Sequence, residues 1–250
     1  MLKNFPSLFL GLLCIFIIPM HVHSQVEVQY SGCVASERIT FESNPSLLQL
    51  LKSPVIQPCA YKFATALTQP RLIPLQEAQK EILLLNIRLL SLSSSSKSIK
   101  QYLSSLESLI QKQSITGRVL GLELDSTRVE IIPLKNRIFS HSLTMHFPSK
   151  LKSIFFVGAK KETMPYRPSL SVEDYVIKNP LFNFFEKGYV SVVQANGEVE
   201  KLKVGVWNHQ TNYLSPGSWI IGRLKSTVIE EVAPTFNEDL ANWLATQVLP

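Results

Sequence analysis

The alternation of apolar and polar residues near the C-terminal end of the chain predicts a β-hairpin. Apolar residues dominate residues 189–193, and Asn196-Gly197 follows them. Asn-Gly accepts positive φ at both central positions of a tight turn, so residues 198–204 are expected to return as the partner strand. Farther on, Pro216-Gly217 favours a type II turn before a last strand at residues 219–221. This pattern predicts the closing half of a small β domain.

The residues before this hairpin complete the same domain. Strands are predicted at residues 152–158 and 163–166. Ser171 is a suitable N-cap for the helix that follows, and Asn179-Pro180 ends that helix. The order of strand, strand, helix and further strands indicates a β-grasp sheet around one helix.

The first half of the chain begins in the same way. Residues 26–30 and 34–41 are predicted strands, and a helix follows Asn44-Pro45. Strands at residues 119–124, 128–132 and 142–147 are expected to complete this first β-grasp unit. The fold class predicted is therefore α+β with two such units.

A helical hairpin at about residues 75–113 interrupts the first unit. Apolar residues at spacings of three and four predict two helices, joined by a serine-rich connector. The stripe expected to face inward on the first helix contains Leu75, Ile82, Leu85 and Leu89. A hairpin of this kind is either an interaction arm or a packed insertion.

Gly117 and Arg118 follow the hairpin directly. Gly117 suits the left-handed end of a helix, and Arg118 then stands at a corner between a helix and a strand. There, its five donors would clamp a carboxylate or close a cleft. The alternative is structural, with Arg118 capping helix carbonyls or pairing with Asp125.

The N-terminal 24 residues have the pattern of a secretory signal peptide. Lys3 precedes a short apolar run, and small or slim residues stand at Val22 and Ser24. Export to the periplasm is therefore expected. Removing residues 1–24 takes away one charged side chain and lowers the formal charge from +6 to +5. Without a dense basic run, this charge does not indicate a nucleic-acid partner.

Export also bears on the cysteines, because Cys33 and Cys59 are the two that remain after processing. In an oxidising compartment such a pair is a candidate disulfide. Two buried thiols would look the same in the sequence. No close cysteine or histidine spacing predicts a metal site.

The last predicted element is an amphipathic helix at residues 233–250. Its apolar residues recur at helical spacing. They either pack against the β units or form a docking face for a partner or a membrane interface. The five residues are Phe236, Leu240, Trp243, Leu244 and Val248.

Patterns that would indicate catalysis are absent from the sequence. There is no His-Glu-x-x-His, no phosphate-cradling glycine loop and no Gly-x-Ser-x-Gly. No cofactor is expected. Carboxylates distant in sequence can still converge as in a glycosidase, so a glycan-processing enzyme stays open. Trp207, Tyr213 and Trp219 would either stack on sugar rings or pack in the core.

The order and spacing of several short motifs resemble one protein family. These are Ile115-Thr116-Gly117-Arg118, Leu124-Asp125, SVEDYVIKNP from Ser171, Val206-Trp207-Asn208 and LSPGSWI from Leu214. Together they resemble the GfcC (YmcB or YjbG-like) accessory family of capsule and exopolysaccharide biosynthesis, and the β units resemble the SLBB-like domains of polysaccharide export proteins. In place of the Asn-Pro-Pro-Leu that family members often carry, residues 132–137 are IPLKNR.

The resemblance implies a domain plan and a function. After the signal peptide come a first β-grasp domain (25–147), a second (148–232) and the terminal helix (233–250). A non-enzymatic periplasmic role in polysaccharide assembly or export is expected, with envelope export proteins or the polysaccharide as partners and peripheral membrane contact through the terminal helix. The alternatives are a glycan-processing enzyme and an outer-membrane channel component. Candidate binding residues are Gly117, Arg118, Asp125, Trp207, Asn208 and Tyr213.

Overall fold

The protein combines two β-sheets with several helices, which confirms the α+β class. The computed structural model describes residues 25–35, 38–205 and 212–250, so the expected signal peptide lies outside the described residues. The strands are β1 (Val26–Gly32), β2 (Arg38–Phe41), β3 (Ala66–Thr68), β4 (Leu143–Phe147), β5 (Ser153–Val157), β6 (Thr163–Pro165), β7 (Phe185–Val193), β8 (Val199–Lys203) and β9 (Trp219–Leu224). The helices are α1 (Leu47–Lys52), α2 (Ile73–Ser93), α3 (Lys97–Lys112), α4 (Ser126–Ile131), α5 (Val172–Lys178), α6 (Ser226–Ile229) and α7 (Phe236–Ala245).

The first sheet has the strand order β2-β1-β4-β3, with β1 and β4 parallel and the outer pairs antiparallel. Helix α1 starts at a capping box formed by Ser46 and Gln49. Its buried leucines pack on the sheet, and the Tyr30 hydroxyl donates to the Leu50 carbonyl at 3.1 Å. A disulfide joins Cys33 to Cys59, whose Cα atoms lie 5.7 Å apart. The bond joins the two cysteines that were candidates for a disulfide in the sequence.

The second sheet has the order β6-β5-β9-β7-β8, and β5 runs parallel to β9 at its centre. Helix α5 begins at the predicted Ser171, which forms a capping box with Asp174. The predicted hairpin of β7 and β8 is present, but only Gly197 of the Asn-Gly pair has positive φ. The turn is therefore not the predicted one with two positive φ values.

Both faces of the second sheet are covered. Alternate residues of β5, β7 and β9 pack against α5 on one face. On the other face the sheet packs with α2, α3 and α7 in one continuous apolar cluster. The hairpin that interrupts the first unit therefore packs on the second sheet, together with the terminal helix.

Two strands predicted for the first sheet are wrong. Residues 119–124 form no strand, and residues 126–131 form helix α4 instead. The carboxylate of Asp125 accepts from the backbone N–H groups of Thr127 and Arg128. This N-cap satisfies donors that open a helix, so the apolar alternation nearby does not produce a strand.

The hairpin forms at the predicted place, but the predicted inward stripe is wrong. Leu75, Ile82, Leu85 and Leu89 are 58%, 57%, 53% and 40% exposed. The apolar side chains that α2 buries are Leu83, Leu84, Ile87 and Leu90. Helix α2 is apolar on two faces, and periodicity alone does not show which of them is covered.

Candidate functional site

The segment that carries Arg118 is built around a glycine. Gly117 has φ of +70°, and a Cβ there would lie 2.5 Å from the carbonyl oxygen of Gln69. The buried side chain of Gln76 accepts a hydrogen bond from the Gly117 N–H at 2.8 Å and donates one to the Arg118 carbonyl at 3.1 Å. Because any larger residue would collide with the neighbouring backbone, this corner requires glycine.

The Arg118 side chain is buried and donates to three backbone carbonyls. Nη1 lies 2.7 Å from the Gln247 oxygen and 3.3 Å from that of Ala245, and Nη2 lies 3.1 Å from the Ala195 oxygen. Only 4% of the residue is exposed. Burial lowers the pKa of the guanidinium from its ordinary value to about 10. Two of the acceptors lie at the C-terminal end of α7, where the helix dipole favours a positive charge.

Through these hydrogen bonds, Arg118 connects three parts of the chain. Ala195 belongs to the loop between β7 and β8, whereas Ala245 is the last residue of the terminal helix α7 and Gln247 lies just after it. Next to it, the Thr116 hydroxyl donates to the Thr246 carbonyl at 2.6 Å. The hypothesis that Arg118 clamps a carboxylate is not supported, because its donors face carbonyls and no described carboxylate pairs with it. Its capping role is observed, but on α7 and not on the preceding helix.

Two other predicted binding residues that the structure describes, Asp125 and Tyr213, form no hydrogen bond or ion pair with the Arg118 side chain. Asp125 is the N-cap of α4 and does not pair with Arg118. Tyr213 is 58% exposed, and its carbonyl accepts from the Gln194 side chain at 3.2 Å. Trp207 and Asn208 lie outside the described residues. Among the described candidates, the contacts therefore do not join Arg118, Asp125 and Tyr213 into one site.

The proposed docking face of the terminal helix is also corrected. Phe236, Leu240, Trp243 and Leu244 are at most 2% exposed and pack in the core with α2, α3 and the second sheet. Val248 follows the helix and is partly buried at the rim of a cleft. Because this chain covers the apolar face itself, the face is not available to a partner in this conformation.

The cleft in question lies between α3 and the second sheet and has a volume of about 1180 Å³. Its floor includes two half-buried aromatic rings on neighbouring parallel strands, Phe155 and Trp219. The rings stack with centroids 4.7 Å apart and an interplanar angle of 27°. One wall carries the exposed polar side chains of Ser98, Gln101 and Ser105 from α3. An aromatic floor with a polar wall is typical of a ligand cleft.

Two further groups of the cleft bear on its chemistry. The Tyr102 hydroxyl is buried without a hydrogen-bond partner in the described part of the chain, and burial raises its pKa. Lys160, Lys225 and Glu162 line the opening, so its formal charge is slightly positive. Glu162 is the sole side-chain carboxylate among the described residues lining the cleft. A glycosidase needs two carboxyl groups flanking the bond that it cleaves.

Trp219 is a candidate from the sequence alone, whereas its stacking partner Phe155 and the polar wall are not. Ser98, Gln101 and Ser105 have helical spacing of three and four, so their common face was visible in the pattern. The proximity of α3 to β5 was not visible, since residues far apart in the chain form it.

Neither a metal site nor a membrane span is seen in the described ranges. No group of three or more histidine, cysteine, aspartate or glutamate side chains is placed there to hold a metal ion. None of the described helices has the length and apolar character needed to cross a bilayer.

Comparison with known proteins identifies similar sequences. Residues 160–249 match the family described as capsule biosynthesis GfcC C-terminal. The chain is 26% identical over 150 residues to an uncharacterized protein, YjbG, of Escherichia coli strain K12. That alignment covers 59% of this chain and 60% of YjbG, so the match spans about three fifths of the relative's length. Both findings confirm the resemblance to GfcC and YjbG-like proteins.

Proposed function

We propose that this chain, which resembles the GfcC and YjbG-like proteins, is a non-enzymatic accessory protein for assembly or export of a capsular or extracellular polysaccharide. We place it in the periplasm, on the strength of the signal-peptide pattern in residues 1–24. The observation that carries the proposal is the family match over residues 160–249, which includes most of the second sheet and the terminal helix.

We also propose that each of the two sheets belongs to a β-grasp domain. In each sheet an N-terminal hairpin is followed by a helix, and the first strand pairs in parallel with a later one. This arrangement supports two SLBB-like β-grasp domains, with the helical hairpin inserted in the first.

The cleft between α3 and the second sheet supports direct contact with the glycan. Sugar rings present C–H groups that pack on aromatic faces, and the stacked rings of Phe155 and Trp219 offer such a face. The hydroxyl groups of a sugar need hydrogen-bond donors and acceptors, which the polar wall on α3 supplies. The proposed contact is therefore with two or three sugar units lying along the cleft.

Binding without cleavage fits this cleft better than catalysis. A hydrolase that acts on a glycosidic bond needs an acid and a second carboxylate at a defined separation. Glu162 stands without a second side-chain carboxylate among the described lining residues. A channel role would require α7 to leave the core, and its ten residues are about half the length that spans a bilayer.

The test combines surface polysaccharide with glycan binding. Cells lacking the gene are complemented with the wild type, Trp219→Ala or, as the matched aromatic control outside the cleft, Phe63→Ala, because Phe63 is 47% exposed and does not line the cleft. We expect deletion to reduce surface polysaccharide and Trp219→Ala to restore it poorly. Binding of the cell's own polysaccharide fragments to purified Trp219→Ala should weaken about tenfold, the value of one stacking contact.

Three outcomes would each contradict one part of the proposal. Normal surface polysaccharide after deletion would refute the accessory role. Full complementation and unchanged fragment binding by Trp219→Ala would refute the glycan contact, while leaving a role through protein contacts. Release of reducing sugar ends from the fragments by the wild type would refute the non-enzymatic assignment.

A further inference from the structure

Helix α2 has an apolar face that the described part of the chain leaves open. It lies opposite the face that packs in the core, and it runs nearly the whole length of the 21-residue helix. Four of its side chains are between 53% and 79% exposed, and the fifth, Leu89, is 40% exposed. With the small exposed Ala78, the open stripe consists of Leu75, Ala78, Ile82, Leu85, Leu89 and Leu92.

The spacing within this open stripe is that of a helix-pairing seam. Its residues follow one another at intervals of three, four, three, four and three. Such a 3-4 repeat is the a/d pattern with which one helix inserts side chains between those of another. A helix lying on a globular surface needs one apolar stripe, and α2 already has one in Leu83, Leu84, Ile87 and Leu90. The second stripe therefore points to a second helix.

The residues beside the open stripe indicate which helix fits. Glu81 and Arg88 occupy the same flank, seven residues apart, and both are exposed. Gln79 and Asn86 occupy the other flank. When two copies of α2 pair antiparallel, equivalent flanks face each other, so Glu81 of one copy meets Arg88 of the other, twice. Parallel pairing would instead place these charges against the opposite, uncharged flank.

We propose that α2 pairs antiparallel with α2 of a second copy of this chain. The two-fold axis passes between Ile82 and Leu85, so that Ile82 packs on the second copy's Leu85 and Leu75 packs near its Leu92. Arg88 already forms an ion pair with Glu107 of the same chain at 2.7 Å. Because 55% of the Arg88 side chain is still exposed, it can also pair with Glu81 of the second copy. With α3 on the other side of each α2, the two hairpins form a four-helix arrangement.

The area offered by the open stripe is sufficient for this pairing. At the observed exposures its large side chains each present on the order of 100 Å², so two copies would bury about 1,000 Å² in total. That area is at the lower limit for a specific interface and predicts a dimer of moderate affinity. The glycan cleft lies on the other side of α3 and is not part of the stripe. The proposal therefore does not depend on the proposed function.

The experiment is sedimentation equilibrium on protein purified without detergent after expression of the full-length sequence. We expect the wild type to approach twice the monomer mass as its concentration rises. Ile82→Ser should weaken the dimer about tenfold or more, since it removes two central contacts per pair. The matched control is Ile177→Ser on α5, because Ile177 is 65% exposed outside the stripe. This control should dimerise as the wild type does.

Charge reversal tests the antiparallel register. Glu81→Arg and Arg88→Glu each place like charges together twice and should weaken the dimer. The double variant, Glu81→Arg with Arg88→Glu, restores both pairs and should recover much of the affinity. Thermal unfolding of each variant checks that loss of the Arg88–Glu107 bond has not unfolded the hairpin.

Three results would overturn the proposal. The first is a wild type that stays monomeric at the highest concentration reached. The second is a dimer that Ile82→Ser leaves intact. The third is a double charge variant no better than either single variant, which would refute antiparallel pairing.

Discussion

Replacement of Arg118 by alanine tests the role that the structure gives to this residue. The change removes a buried guanidinium that donates to the carbonyls of Ala195, Ala245 and Gln247. Two of these acceptors lie at the C-terminal end of helix α7, and the third lies in the β7–β8 loop. The substitution therefore disconnects the terminal helix from the second sheet at one point.

The size of the effect follows from the three hydrogen bonds. A bond to a charged donor contributes about 1.5–3 kcal/mol, so three bonds near the lower value would contribute about 4–5 kcal/mol. Burial of the charge offsets part of this, as the pKa of Arg118 lowered to about 10 indicates. We expect the free energy of unfolding to fall by roughly 3 kcal/mol, or Tm by about 6–12 °C for a chain of this size.

The assay is urea and thermal unfolding of the wild type, Arg118→Ala and Arg118→Lys. Lysine keeps the charge but lacks the planar fork that reaches three carbonyls, so its stability should be intermediate. The matched control is Arg128→Ala, since the Arg128 side chain is 70% exposed and its ion pair with Glu123 is 3.5 Å long. An exposed pair of this kind contributes at most about 1 kcal/mol.

Hydrogen exchange shows where the stability is lost. In Arg118→Ala, exchange should rise first at residues 245–250 and in the β7–β8 loop. A variant within about 0.5 kcal/mol of the wild type, with unchanged exchange there, would refute the reasoning. Any loss of surface polysaccharide in this variant must be compared with a variant of equal stability, such as a disulfide-free one.

Two further predictions concern the first sheet. Replacing Cys33 and Cys59 by serine should lower the free energy of unfolding by about 3.5 kcal/mol in the chain-entropy model, and urea unfolding with and without reductant checks this. His146 contacts the hydroxyls of Ser31 and Thr68, and burial together with the charge of Arg118 lowers its pKa below 6.5. As pH falls, the His146 imidazole is therefore protonated in the unfolded chain before it is in the folded one, so the free energy of unfolding decreases as pH drops below 6.5. In His146→Gln this decrease between pH 7.5 and 5.5 should be shallower than in the wild type. Equal slopes for the two proteins would contradict the prediction.

Local chemistry predicted much of the second sheet. Ser171 can cap the helix that follows it, Asn-Gly and Pro-Gly mark turns, and the strands between them alternate. These signals act within a few residues, so they are visible in the sequence. The first sheet was predicted less well, because Asp125 opens a helix where apolar alternation suggested a strand.

The site depends on contacts that local patterns do not encode. The motif showed that Gly117 and Arg118 form a corner, but the acceptors of Arg118 lie 77 to 129 residues away in the chain. The cleft arises because α3 reaches the sheet that contains Phe155 and Trp219. Neither fact follows from periodicity.

Helix α2 illustrates the division between sequence and tertiary structure. The sequence by itself determined that α2 is a helix, that it pairs with α3, and that it has apolar residues on two faces. Only the tertiary structure decided that Leu83 and Ile87 face the core while Ile82 and Leu85 face outward. The physical reason is that burial of apolar area favours whichever face meets complementary surface, and that surface is supplied by the second sheet and α7, far away in the chain.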